Sequence, residues 1–178
     1  REQRSAAKAV NFGIVYGISD YGLAKNIGVS RKEAGEFIRR YLEKYCGVQE
    51  YMHRCVEEGR KKGYVTTLMG RRRELPEIKS SNFNTRSVGE RVAMNMPIQG
   101  TAADIIKMAM VNVHKRLEEE GLKARLILQI HDELIIDTPF DEEQRVRKLL
   151  AECMQTVMKL KVPLIADVSS GHSWFDTK

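Results

Sequence analysis

Cysteine is scarce in this chain of 178 residues: Cys46, Cys55 and Cys153 are scattered and odd in number. No CxxC pair occurs, so neither a zinc finger nor a dithiol redox site is encoded. Three unpaired thiols fit a reducing, cytoplasmic setting rather than a disulfide framework. No apolar run approaches the roughly 18 residues that a membrane span requires. There is no signal-peptide pattern: Arg1 opens directly into helical periodicity, without an N-terminal cap, as expected of a cut chain. Proline is sparse too, at four. One of them, Pro97, falls inside a helical pattern and should break or kink it.

Charge is abundant and uneven. Residues 1–80 hold 17 Lys and Arg against 10 Asp and Glu, a surplus of +7; residues 81–178 hold 13 against 14. A basic first half is either a polyanion surface or a solvated, Lys-rich helical face. Periodicity predicts a helix over residues 1–16 ending at Gly17, and a short helix around Tyr21–Asn26 stopped by Gly28. Ser30 with Glu33 forms a capping box that opens a helix to about Tyr45. A further helix spans about Val48–Lys62. Tyr64–Leu68 and Arg72–Leu75 read as a small hairpin about Met69-Gly70. Helices are expected from about Thr85 to Asn95 and on to about Glu120, then strands Arg125–Ile130 and Leu134–Asp137. A helix from Asp141 to Leu160, a last strand Val162–Ser169 and a tail complete the chain. The fold class is α+β, with a helical portion over 1–80 and a portion with a small antiparallel sheet packed by helices over 81–178.

Four series carry chemistry. Arg4, Lys8, Phe12 and Tyr16 recur at steps of four and so form one slowly turning helical stripe, drifting about 40° per step. Its cations can pair with phosphate oxygens and its aromatics can stack on a base or sugar. The same spacing equally describes a core stripe with snorkelling cations. His131-Asp132-Glu133 lies in a turn between apolar strands, where carboxylates can hold a hard cation such as Mg²⁺; a plain polar turn is the alternative. Arg91, Asn95 and Gln99 form a second polar stripe, suited to duplex contact or to simple solvation and capping. Arg71-Arg72-Arg73 offers phosphate contact or a solvated cluster. His53, His114 and His172 are isolated and read as surface or packing residues. Asp137 and Asp167 add negative field without reading as ligands.

Taken in order, these blocks resemble the motifs of family A DNA polymerases. Arg4, Lys8, Phe12, Gly13, Tyr16 and Gly17 resemble motif B, and His131-Asp132-Glu133 resembles motif C. Arg91, Asn95 and Gln99-Gly100-Thr101-Ala102-Ala103-Asp104 also match, as do Gly63-Tyr64-Val65, Thr67-Leu68 and Gly70-Arg71-Arg72. The resemblance implies a DNA-directed DNA polymerase of replication and repair, with primer–template DNA and dNTPs as partners and Mg²⁺ as cofactor. Residues 1–80 would then be part of the fingers and 81–178 part of the palm.

By the same resemblance Arg4 and Lys8 would bind the incoming triphosphate, and Lys8 would protonate the leaving pyrophosphate. Phe12 would pack on the nucleotide and Tyr16 near the templating base. Asp132 would be a metal ligand, assisted by Glu133, with His131 beside the primer end. Arg91, Asn95 and Gln99 would contact primer–template. The family's motif A, an Asp-x-Ser-x-x-Glu-Leu-Arg pattern, and the thumb have no counterpart here. The chain alone is therefore expected to be inactive, with a nucleic-acid-binding module as the other reading of its function.

Overall fold

A computed structural model describes residues 2–177. The chain divides into two compact units, Arg1–Thr101 and Ala102–Lys178. That division lies inside a long helix. The α+β class holds: among the described residues six α-helices accompany two two-stranded antiparallel sheets. Among the described residues no helix is long and apolar enough to cross a membrane.

In the first unit, α1 (Glu2–Val15) stops where Gly17 adopts φ 72°. Ser19 caps α2 (Asp20–Ile27) by accepting from the Gly22 N–H, and left-handed Gly28 ends it. The Ser30/Glu33 capping box opens α3 (Arg31–Lys44) as expected. Ile14, Leu23 and Ala34 bury the faces these three helices share. Next come α4 (Cys46–Lys62) and the hairpin β1 (Tyr64–Thr66) and β2 (Arg72–Glu74). Val65, Leu75, Ile78 and Ala93 form the core beneath the hairpin.

The helix α5 spans Phe83–Glu119 with Pro97 inside it. Asn82 caps it, its Oδ1 accepting from the backbone N–H groups of Asn84 and Thr85. Of the expected break or kink, the break does not occur: the helix runs on through Pro97. A proline here forfeits one backbone bond and costs about 3 kcal/mol. Buried positions flank it on either side, at Ala93 and at Thr101.

In the second unit, α5 contributes Ile106, Ala109, Val113 and Leu117, and α6 (Glu143–Thr156) contributes Val146, Leu149 and Cys153 to one core. This core carries the hairpin β3 (Arg125–Ile130) and β4 (Glu133–Asp137), with a bulge between Leu126 and Leu128. Two expectations fail here. The last helix stops at Thr156, because beyond Cys153 no position is fully buried against the core. Residues 162–169 form no strand and pair with none of the described strands. Arg147 holds the segment instead, donating to the Val168 carbonyl at 2.9 Å and to Ser170 Oγ at 2.8 Å.

Glu120 ties the end of α5 to α6. Its carboxylate accepts from Arg116 at 2.6 Å and from Arg145 at 2.7 Å. These hydrogen bonds, Arg116 first, hold its pKa below the usual carboxylate range. A lowered folded-state pKa stabilises the fold above the unfolded value of about 4.3, and that stabilisation is lost as pH falls through the folded value. Glu120→Gln should therefore lower Tm at neutral pH, and the gap from wild type should close below about pH 4, as followed by circular dichroism.

Two glycines give opposite expectations. A Cβ on Gly89 would lie 2.6 Å from the Ile78 backbone nitrogen, whereas one on Gly47, in α4, meets nothing within 4 Å. Urea unfolding should show Gly89→Ala destabilised by about 1–3 kcal/mol and Gly47→Ala stabilised by about 0.5–1 kcal/mol.

Candidate nucleic-acid and nucleotide site

The stripe on α1 is a surface feature. Arg4 and Lys8 are exposed, and Phe12 and Tyr16 keep 49% and 38% of their surface open. The buried face of this helix is carried by Ile14 instead. The core alternative for Phe12 and Tyr16 is therefore set aside. The two rings stack at 6.2 Å between centroids, and Lys8 Nζ lies 5.9 Å from the Phe12 ring. Cation, ring and ring thus succeed one another along one open face.

Gly17 then brings the end of α1 close to α5. A Cβ there would sit 2.6 Å from Met94 Cε and 3.3 Å from Arg91 Cγ. As a result Tyr16 lines the same open cleft as Arg91, Asn95 and Gln99, a space of about 770 Å³ within the first unit. Arg71, Arg72 and Arg73 from the hairpin line it as well. The three α5 residues lie mid-helix, so end-capping is not their role. Asn95 Oδ1 is buried without a hydrogen-bond partner.

His131, Asp132 and Glu133 belong to the second unit. Ile130 pairs with Glu133, so His131-Asp132 forms a two-residue hairpin loop. His131 has φ 52° and is the one non-glycine residue with positive φ among those described. Positive φ at the first loop position alone is the demand of a type II′ turn, where glycine is usual. Gln129 Nε2 donates to the His131 carbonyl at 2.6 Å and braces the turn. All three residues are exposed, directly before buried Leu134. Among the described residues no three His, Cys, Asp or Glu side chains gather to hold a metal. One or two carboxylates at an open turn suit Mg²⁺, which takes its other ligands from water and phosphate. They do not suit a closed, all-protein metal cage.

Residues 1–176 match the model of DNA polymerase family A, and the chain belongs to that family. It is 59% identical over 175 residues to DNA polymerase I of Bacillus caldotenax and equally to that of Bacillus subtilis (strain 168). In each case 98% of this chain is covered, but it spans only 20% of the relative's length. Among solved structures it is similar to the POL domain of Pol1 from M. smegmatis, in complex with DNA primer-template and dNTP. That likeness has a TM-score of 0.96 and 42% identity, over 99% of this chain and 31% of that one.

Residue spacing did not reveal three participants: Thr67, Gly100 and Thr101, which join the arginine hairpin to α5. A threonine carries no sequence mark of being buried. Gly100 inside a helical pattern was the one available sign of a close approach.

The strained turn gives a direct expectation. His131→Gly should raise stability by about 1 kcal/mol, since it relieves a side chain at positive φ. Chemical denaturation of the two proteins compares them.

Proposed function

We propose that this chain is the fingers-and-palm part of a DNA polymerase I-type enzyme. That enzyme adds dNTPs to a primer 3′-hydroxyl on a DNA template, in replication and repair within the bacterial cytoplasm. The observation that carries the proposal is the open cation-and-aromatic face of α1, which runs into the Tyr16, Arg91, Asn95 and Gln99 cleft. A core helix would hide those rings.

On this reading Arg4 and Lys8 grip the triphosphate, Arg as a fork and Lys as a point charge. Lys8 passes a proton to the departing pyrophosphate, as a positioned general acid. Phe12 packs on the incoming sugar and base, and Tyr16 on the templating position. Arg91, Asn95 and Gln99 track the duplex. His131 stands by the primer end. Asp132, with weaker help from Glu133, holds a divalent ion, which polymerases of this family generally use; Mg²⁺ is the ion proposed. When bound, such ions activate the attacking hydroxyl and stabilise the leaving group. The fingers portion is assigned to residues 1–80 and the palm portion to 81–178, a functional division distinct from the compact units.

Primer extension tests the proposal in two stages. The chain alone should give no extension, and the mixture with a segment carrying the Asp-x-Ser-x-x-Glu-Leu-Arg block should restore it. In the full-length protein, Asp132→Asn and Lys8→Ala should each lower kcat by at least about a hundredfold. Salt-dependent duplex binding with no extension in any combination would favour a non-catalytic binding module instead.

A further inference from the structure

The cleft has two walls within the first unit. One is the polar face of α5, with Arg91, Asn95 and Gln99; the other is the Arg71-Arg72-Arg73 end of the hairpin. What fixes one wall to the other is a side chain outside the motif roles described above. Thr101 is 6% exposed, and its hydroxyl donates to the Pro97 carbonyl at 2.5 Å. The same oxygen accepts the Leu68 backbone N–H at 3.0 Å. One proton and one lone pair therefore clip the hairpin loop to the helix.

Two further contacts converge on this clip. Arg71 Nη2 donates to the Gly100 carbonyl at 2.8 Å. Thr67, 4% exposed, accepts from the Arg71 N–H through its Oγ1 and donates its own N–H to the Arg71 carbonyl. The fit leaves no slack: a Cβ on Gly100 would lie 2.7 Å from Thr67 Cγ2. A mid-helix threonine commonly bonds its own i−4 carbonyl. Here the hydroxyl carries a second bond out to a separate element, and that element supplies the cations.

We propose that Thr101 is a positioning residue for nucleic-acid binding: its hydroxyl sets the arginine hairpin at a fixed distance from the α5 stripe, so that both walls meet the backbone phosphates of one bound duplex. The inference rests on the polymerase reading above and concerns the same cleft. Thr101 itself touches no DNA. Phosphate contacts fix register, so a hairpin that drifts loses contacts without altering the α5 stripe.

The salt dependence of primer–template binding by the full-length protein isolates this effect. Each phosphate contact contributes about −0.9 to the slope of log K against log salt concentration. Thr101→Val keeps the shape and removes both hydrogen bonds. It should flatten the slope by about 1–2 and weaken binding about tenfold near 0.1 M salt, while Thr101→Ser keeps the wild-type slope. Arg73→Gln, an exposed change, should flatten the slope by about 1, and adding Thr101→Val to it should flatten the slope by less than Thr101→Val does in wild type. Should Thr101→Val fail to fold, Gly100→Ala replaces it, pushing the hairpin away through Thr67 with the same expected loss. An unchanged slope in folded Thr101→Val, or a Thr101→Ser variant as impaired as the valine, overturns the proposal. A wild-type protein that binds no primer–template at all overturns the polymerase reading itself, a result distinct from both.

Discussion

The continuity of α5 through Pro97 is the constraint on which the arrangement of the first unit depends. Proline in a helix interior removes a backbone donor and crowds the preceding turn, at a cost of about 3 kcal/mol. The helix bears that cost because buried positions lie on both sides of it. Ala93 closes the core beneath the hairpin, and Ile106, Ala109 and Val113 build the core of the second unit. Had the chain bent away at residue 97, Arg91 and Asn95 would have ended on one segment and Gln99 on another. Their steps of four would then have had no common face. The cleft wall is thus a by-product of hydrophobic burial that keeps a proline-containing helix whole.

Charge placement reinforces this arrangement. On α3, Glu36 accepts from both Arg39 and Arg40, and Glu43 also pairs with Arg39. Those two arginines, Arg39 first, hold the Glu36 carboxyl down to about 2. Such exposed pairs add little stability. Their effect is to cancel positive field on the face of α3. Elsewhere in the first unit Arg60 pairs with Glu90, Lys62 with Glu58 and Arg72 with Glu74, while Arg71, Arg72 and Arg73 line the cleft.

Where local chemistry decides structure, the sequence was sufficient. Ser30 with Glu33, and glycines 17 and 28, mark helix ends because caps and positive φ are satisfied within a few residues. Tertiary context decided the rest. Pro97 could not be placed inside a helix without knowledge of the cores flanking it. Residues 162–169 carry the composition of a strand, but a strand exists only when paired, and none of the described strands pairs with them. The site divides similarly. Spacing found the α1 stripe but left its exposure open, since a core stripe and a binding stripe share one period. Family resemblance supplied the roles of Asp132 and Lys8. The resemblance included Thr101 in a matching block but gave it no role; its importance lies in a bond to Leu68, 33 residues away in sequence.

The hairpin of the second unit has a different consequence for anyone handling the isolated chain. Strands β3 and β4 form a sheet of two, and Ile127 and Leu128 on β3 remain 61% and 44% exposed. A two-stranded sheet in water is barely self-sufficient, and unprotected strand edges with apolar side chains recruit further strands. At high protein concentration the nearest source of such a strand is a second molecule of the same chain. Loss to aggregates, growing with concentration and beginning at β3, then limits how much of the isolated polypeptide stays in solution, whatever the stability of its helical parts.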